Sequence, residues 1–484
     1  MTSLPANPVL AAPASAAVTT RVQAAQQVAA RQQTQPAAAV TAPASTVLEI
    51  SSTTPKPRPA VYTVAATLSP AWAAQPKDNI SARMASNSAM GSLGGQWSQL
   101  GGMLLSHLSS NNTGYSQTLL TRPDATRDLD MQMRGVRSGA ATVSLDITTR
   151  SGQKVQLQIA ANGSQGMHVE IHSSGPLNAT ERQALATLSE GLDRALAGLG
   201  KEGAPDIDLS GLMDYDRKTL ASLSLSVNAP QGSNTSLQSL RLHLNDRTQT
   251  LDLATTTGGQ VSVRLNPSTA LTSAESPHKQ AALSQHLQHI QTAADRSHAD
   301  AELVALFTSS LMQMHGMPAS ASTSTPMPPA LGAQVAPLLS GLADFEASFS
   351  GSAQRTNSKG AITEQSQTTF HTSQRTESRY HADTGNLQMA QTVQTRLDAT
   401  IHQAPHPDGM LDMDSGNYTT QTIHDLHTQQ TLIAAQNNLL TQAEQRQDTQ
   451  QSLTVQKFIE HTLTEQYERP HHAQQVKQLL QALQ

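Results

Sequence analysis

The 484-residue chain carries 31 basic and 36 acidic residues for a net charge of −5, which excludes a polybasic surface for nucleic acid or anionic lipid. Hydrophobic residues make up 37% and aromatic residues 3%, low for this length, so much of the chain is not core. Charged residues are only 14%, leaving Ala, Gln, Ser and Thr to fill the rest as uncharged low complexity; with no cysteine, disulfides, thiolate metal sites and cysteine nucleophiles are out.

Residues 1–88 hold ten of the 24 prolines, from Pro5 to Pro76, among Ala, Thr, Gln and Ser. No period of 2 or 3.6 is sustained there, and the composition predicts a disordered tail that buries too little to offset its ordering entropy. Pro55-Lys56-Pro57-Arg58-Pro59 favours polyproline II and reads as a stiff linker. Pro5, Pro8, Pro13 and Ser15 interrupt any apolar block, so a Sec-type signal is not expected, and no apolar run is long enough to span a bilayer.

In 89–129, Leu93, Trp97, Leu100, Leu104 and Leu108 recur at helical spacing, weakened by two Gly pairs. They predict a short helix followed by a turn-rich polar lead-in; the turn-rich character runs on to about 138.

Residues 130–268 carry the clearest patterns. Val143, Leu145 and Ile147 alternate with polar residues; so do Val155, Leu157 and Ile159 after Ser151-Gly152, and Met167, Val169 and Ile171 after Asn162-Gly163. Alternation puts one apolar face on each strand, and the glycines supply the positive φ of tight turns, so a three-strand meander is expected. Asn178 with Glu181 makes a capping box, and Leu185, Leu188, Leu192, Leu196 and Leu199 form one stripe ending at Gly200, which lays a helix on that sheet. Four further strands follow around Leu223–Val227, Leu240–Leu244, Leu251–Leu253 and Val261–Leu265. The fold class is therefore α+β, an antiparallel sheet with covering helices.

Residues 277–316 read as two helices, one with Leu283, Leu287, Ile290 and Ala294 on a face and one from near Ala299 with Leu303 to Met314. Residues 317–341 read as a linker, and 342–484 as a polar Gln/Thr-rich region of uncertain strand and helix content. Within it the balance of propensities points to a strand at 364–380, a helix at 386–403, no assignment for 418–466, and a short amphipathic terminal helix through Val476, Leu479, Leu480 and Leu483.

Asp206-Ile207-Asp208-Leu209-Ser210-Gly211 copies the opening of a calcium loop but has Arg217 at position 12, where a bidentate carboxylate belongs; it reads as an Asx-turn or helix cap. Asp412-x-Asp414-x-Gly416 is weaker, with Ile423 at position 12. Of eighteen histidines, His286 and His289 share a helix with His278 and His298 near its ends, and His315 lies on the next, but none has the spacing of a zinc helix; those from His402 to His472 sit in polar, solvated sequence. Hydrolase-elbow, Walker A and dinucleotide fingerprints do not occur. No catalytic, cofactor-binding or metal residue is assigned, and no cofactor is expected.

The run from Val143 to Val227 resembles an uncharacterised bacterial domain-of-unknown-function family. The resemblance rests on the strand pair at Thr142–Ile159, on Gly175-Pro176-Leu177-Asn178-x-x-Glu181 entering the Leu-stripe helix, and on Tyr215-Asp216 with Leu220-Ala221-Ser222-Leu223-Ser224-Leu225. Asp300-Ala301-Glu302-Leu303 and Asp344-Phe345-Glu346 look like later blocks. Ala197–Gly200 departs from the aromatic-rich helix end of the family, and the resemblance implies no activity or site residue. What remains is a non-enzymatic interaction or structural protein with an unspecified protein partner, no nucleic acid and no membrane span. Its expected place is the cytoplasm, or outside it as an exported, length-control or effector type of protein without a cleaved signal.

Overall fold

The computed structural model describes residues 69–111, 114–199, 207–230, 236–269, 277–316 and 327–480. The chain divides into two units, Met1–Ala66 and Thr67–Gln484; the first lies outside the described residues, and with it most of the expected disordered tail.

One antiparallel sheet of fifteen strands runs through the second unit in the order β1-β2-β5-β4-β3-β6 and then sequentially to β15. The first strands are β1 (Ala71–Trp72), β2 (Tyr115–Leu120), β3 (Ala141–Thr149), β4 (Lys154–Ala161) and β5 (Gly166–Ser173). β6 (Leu220–Asn228), β7 (Leu237–Asn245), β8 (Gln249–Thr255) and β9 (Gln260–Asn266) continue it. Long strands follow, β10 (Asp344–Thr356), β11 (Ile362–His381), β12 (Asn386–Gln403), β13 (Tyr418–Gln436), β14 (Leu439–Ile459) and β15 (Thr462–Gln478).

The expected meander is β3, β4 and β5, its turns made at Gly152 (φ 94°) and Gly163 (φ 52°). The capping box forms in both directions, Glu181 donating its N–H to the Asn178 side chain at 3.0 Å and Asn178 donating its own to Glu181 at 2.9 Å. It opens α5 (Ala179–Leu199), whose Leu185, Leu188, Leu192 and Leu196 are fully buried. Ahead of it come α1 (Asn79–Asn87), α2 (Leu93–Trp97), α3 (Leu100–Asn111) and α4 (Leu129–Arg137); after it, α6 (Ser210–Met213), α7 (Pro277–Ser297), α8 (Ala301–Gly316) and α9 (Pro329–Val335). α2 and α3 lie on β4 and β5 with α5 packed against α3, α8 covers β9 and β10, and α7 continues onto β11 and β12, while α9 reaches β14. A single core runs under them from Ile80 to Ile423, and a small second one joins α9 to β12 and β13. The opposite face carries Ser, Thr, Asp and Arg. Among the described residues α4 covers its β2, β5 and β4 corner, where Ala160, Thr118 and His168 are buried.

Six expectations are corrected. Residues 69–88, assigned to the tail, form β1 and α1; Asp78 caps α1 by accepting the Ser81 N–H at 2.7 Å, and Met84 is fully buried. The stretch to 138 read as turn-rich contains β2 and α4. Residues 130–268 are not a separate domain, because β9 pairs with β10 along its length and one core crosses 268 and 342. The supposed linker 317–341 holds α9, where a Pro at the first helical position suits helix initiation. Residues 386–403 are strand β12 rather than helix, and Val476 lies in β15 rather than in a terminal helix; Leu483 falls outside the described residues. Tertiary pairing overrode propensity here, since each long strand offers its neighbour an unbroken ladder of backbone partners.

Candidate interaction surface

From β11 onward the sheet changes character. The helix-covered face of β11 presents Glu364, Ser366, Thr368, Phe370, Thr372 and Gln374, all buried and mostly polar. Two of them donate to backbone carbonyls at the end of α7, the Ser366 hydroxyl to His298 O at 2.7 Å and Thr368 to Ser297 O at 3.4 Å, while Gln374 donates to Leu342 O at 3.1 Å. Glu364 holds His298 Nδ1 at 2.7 Å. A helix end leaves carbonyls without intrahelical donors, and this strand supplies them, which is why a polar strand lies under an apolar helix.

Further along, α7 spans two crevices of about 180 and 210 Å³ against β12, β13 and β14. His289 and His427 meet edge to face between them at 5.1 Å. Burial lowers the pKa of both, His289 further because His427 is near and His427 against a smaller opposing pull from Asp448, which favours the neutral form of each ring. Arg296 closes one end with Asp425 at 2.7 Å. Deeper in, His286 and His315 pack edge-on against Phe345 at 5.1 and 4.9 Å. His427, expected in solvent, is thus half-buried. Among the described residues no three His, Asp or Glu side chains are close enough to share a metal ion. Of the calcium-like string, Asp208 accepts the Ser210 N–H at 3.0 Å and its hydroxyl at 2.5 Å, an Asx-turn into α6, and also faces Arg194 at 3.5 Å; Asp206 lies outside the described residues. Asp412 likewise accepts the Asp414 and Ser415 N–H groups.

Beyond β14 no described helix covers the sheet. β15 is exposed on both faces, with Tyr467 45% and Val476 63% exposed, so backbone pairing and polar side-chain ladders hold it. Gln474 and His472 both reach Asp448, at 2.8 and 3.3 Å, and hydrogen bonds, Gln474's first, hold the Asp448 carboxyl below its ordinary range. Lys457 meets Glu465 at 3.0 Å. The polarity of the edge follows from register. Leu479 donates its N–H to Ala443 O at 2.8 Å, and the pairing from Gln478 back to Glu465 has no shift. Since pairs alternate between bonded and non-bonded along an antiparallel ladder, the odd residues of β15 bond β14 and the even ones point their backbone groups outward. Gln466, Glu468, His472, Gln474, Val476 and Gln478 thus offer N–H and C=O to whatever lies alongside. Pro470 falls on the outward set, where its missing N–H costs the β14 ladder nothing.

No family model, curated protein or solved structure matches this chain. The fold defines an α+β protein dominated by one antiparallel sheet, with a single long edge free among the described residues, and no described helix is long and apolar enough to cross a membrane. Sequence patterns single out no residue of this edge. The outward set is visible only once register is known.

Proposed function

We propose that the protein is a non-enzymatic interaction protein whose working element is the β15 edge, which accepts an extended strand. The observation that carries this reading is the row of backbone groups on a 17-residue strand that no described residue pairs, with its other side already held by β14. Strand addition draws its affinity from main-chain hydrogen bonds, and a preformed edge loses little entropy on pairing. With Gln474→Ala, which loses only the side-chain bond to Asp448, as its control, Gln474→Pro tests it: it removes one outward N–H and no backbone bond to β14. A partner retained by the wild-type full chain and lost from this variant, with unchanged far-UV circular dichroism, is the expected outcome. Equal retention by both refutes strand addition.

Export without a cleaved signal is a second reading, favoured by the Ala, Pro and Thr composition of residues 1–68. A fusion of 1–68 to a reporter is the measure. It stops short of β1, so secretion would be read without part of the fold attached, and cytoplasmic retention in a secretion-competent host would sink the idea.

A further inference from the structure

Resting on that reading, we infer that the strand accepted at the β15 edge is β15 of a second copy, paired antiparallel about a two-fold axis at His471.

The register follows from charge. Centring the pair on His471 sets Glu465 opposite Lys477 twice, once at each end, with no like-charged pair between them. A centre on Arg469 or Glu468 puts that charge against itself, and one on Ala473 sets Arg469 against Lys477. A centre on Pro470 abuts two groups without N–H, and one on His472 forms no opposite-charge pair. A centre on Tyr467 also sets Glu465 opposite Arg469 twice, but it pairs only 462–472, whereas the centre on His471 pairs 464–478 and makes more backbone bonds. Directly opposed opposite charges stabilise a sheet and like charges destabilise it. Glu465 and Lys477 belong to the inward, odd set, so across the new seam they are non-hydrogen-bonded pairs, whose side chains approach closest.

The opposite edge of the sheet explains why the assembly closes. There β1 has two residues, too short to receive β15 head to tail. An isologous pair uses the same patch on both copies and stops at two, whereas an open edge of this length invites unlimited stacking. Pro470 and the charges restrict the edge to one register rather than blocking it.

The absence of cysteine from the chain makes register directly readable. His471→Cys opposes itself across the axis, at a Cα separation of roughly 4.5 Å for a non-hydrogen-bonded pair, inside the roughly 4.4–6.8 Å window of a disulfide. Tyr467→Cys opposes Gln475 and has no thiol to meet. Under mild oxidation the full-length His471→Cys chain should form linked dimer at least about tenfold faster than Tyr467→Cys, and an equal mixture of Tyr467→Cys with Gln475→Cys should link at about half the initial rate of His471→Cys, because only half of its dimers are mixed. Sedimentation of the wild-type chain over a roughly hundredfold range of concentration should show a dimer dissociating on dilution. Lys477→Glu, at a position that faces the uncharged Gln445 on β14, should weaken it at least about fivefold. Equal linking by His471→Cys and Tyr467→Cys, or a monomer throughout, overturns the second copy. If that monomer still loses a different partner on Gln474→Pro, strand acceptance survives with another occupant; if Gln474→Pro changes neither, both readings fall.

Discussion

At the scale of single residues, the interior stores a response to acid. Burial takes the His286 pKa down to about 4 and that of His315 to about 3, with the neighbouring His289 deepening the first shift, and His286 and Lys279 the second. Unfolded, each imidazole titrates near 6.5 and binds a proton more readily than in the fold, so stability is full above that pH and falls as pH drops toward 4. For His286 alone the loss is on the order of 3 kcal/mol, because each tenfold drop in proton affinity on folding is worth about 1.4 kcal/mol. Melting followed between pH 7 and 4.5 should show a steep fall in Tm, flattened in His315→Met; a flat wild-type profile would place both rings in solvent. Leu188→Ala answers a plainer question. Leu188 is 1% exposed in the middle of the α5 stripe, and its truncation should cost about 2–5 kcal/mol, read as a shift of the denaturant midpoint. That stripe was legible because five leucines repeat on one helical face. The histidines were not, because nothing local to His315 says that Phe345, thirty residues on, closes over it.

Elements show where legibility ends. Strands β3 to β9 were read correctly because one face is apolar and the turns carry Gly. In β11 and β13 to β15 apolar alternation is sparse; β12 keeps it, with Leu387, Met389, Val393, Leu397, Ala399 and Ile401 buried on one face, but its Gln, Ala and Leu favour helix by propensity. The turns of these strands carry weak signals too. β13 joins β14 through Asn437 and Asn438 (φ 52° and 62°), and β14 joins β15 through Glu460 and His461 (φ 49° and 62°). Positive φ at both residues makes these tight hairpins of the kind that Asn-Gly favours. The second is held from outside: Glu460 donates its N–H to the Asn417 side chain at 3.1 Å and His461 to Gly416 O at 3.1 Å. Left-handed conformation costs a side-chain-bearing residue roughly 1–2 kcal/mol, so His461→Gly should stabilise the hairpin by on the order of 1 kcal/mol. Gly416→Ala should do the reverse, since a Cβ there would collide with the His461 backbone nitrogen and ring and Gly416 itself has φ 71°. Hydrogen exchange of the amides flanking 460 reports both; a Gly416→Ala chain with unchanged protection would show that the tip is not docked.

For the whole molecule, the sequence invites a cut between an apolar-patterned domain and a polar arm, and packing denies it. Phe307 of α8 is fully buried and packs on Phe349 of β10 and Phe370 of β11 at 5.1 and 6.1 Å, which themselves stack at 5.4 Å. Three of the five phenylalanines in the chain thus form one cluster across the supposed boundary, in a protein with few other large side chains to replace them. A fragment ending at residue 316 keeps every strand read from apolar alternation but strips α8 of that partner and bares β9 as an edge. Removing two buried rings from a third leaves a large apolar surface in water, at about 25 cal/mol for each Å². Such a fragment should lose its cooperative melt and bind a hydrophobic dye, whereas one ending at 461 should melt within a few degrees of the full chain, because β15 buries no apolar side chain. Calorimetry on the two fragments decides it: a cooperative, full-height transition from the shorter one would restore the boundary at 268 and make the polar strands an appendage rather than part of the core.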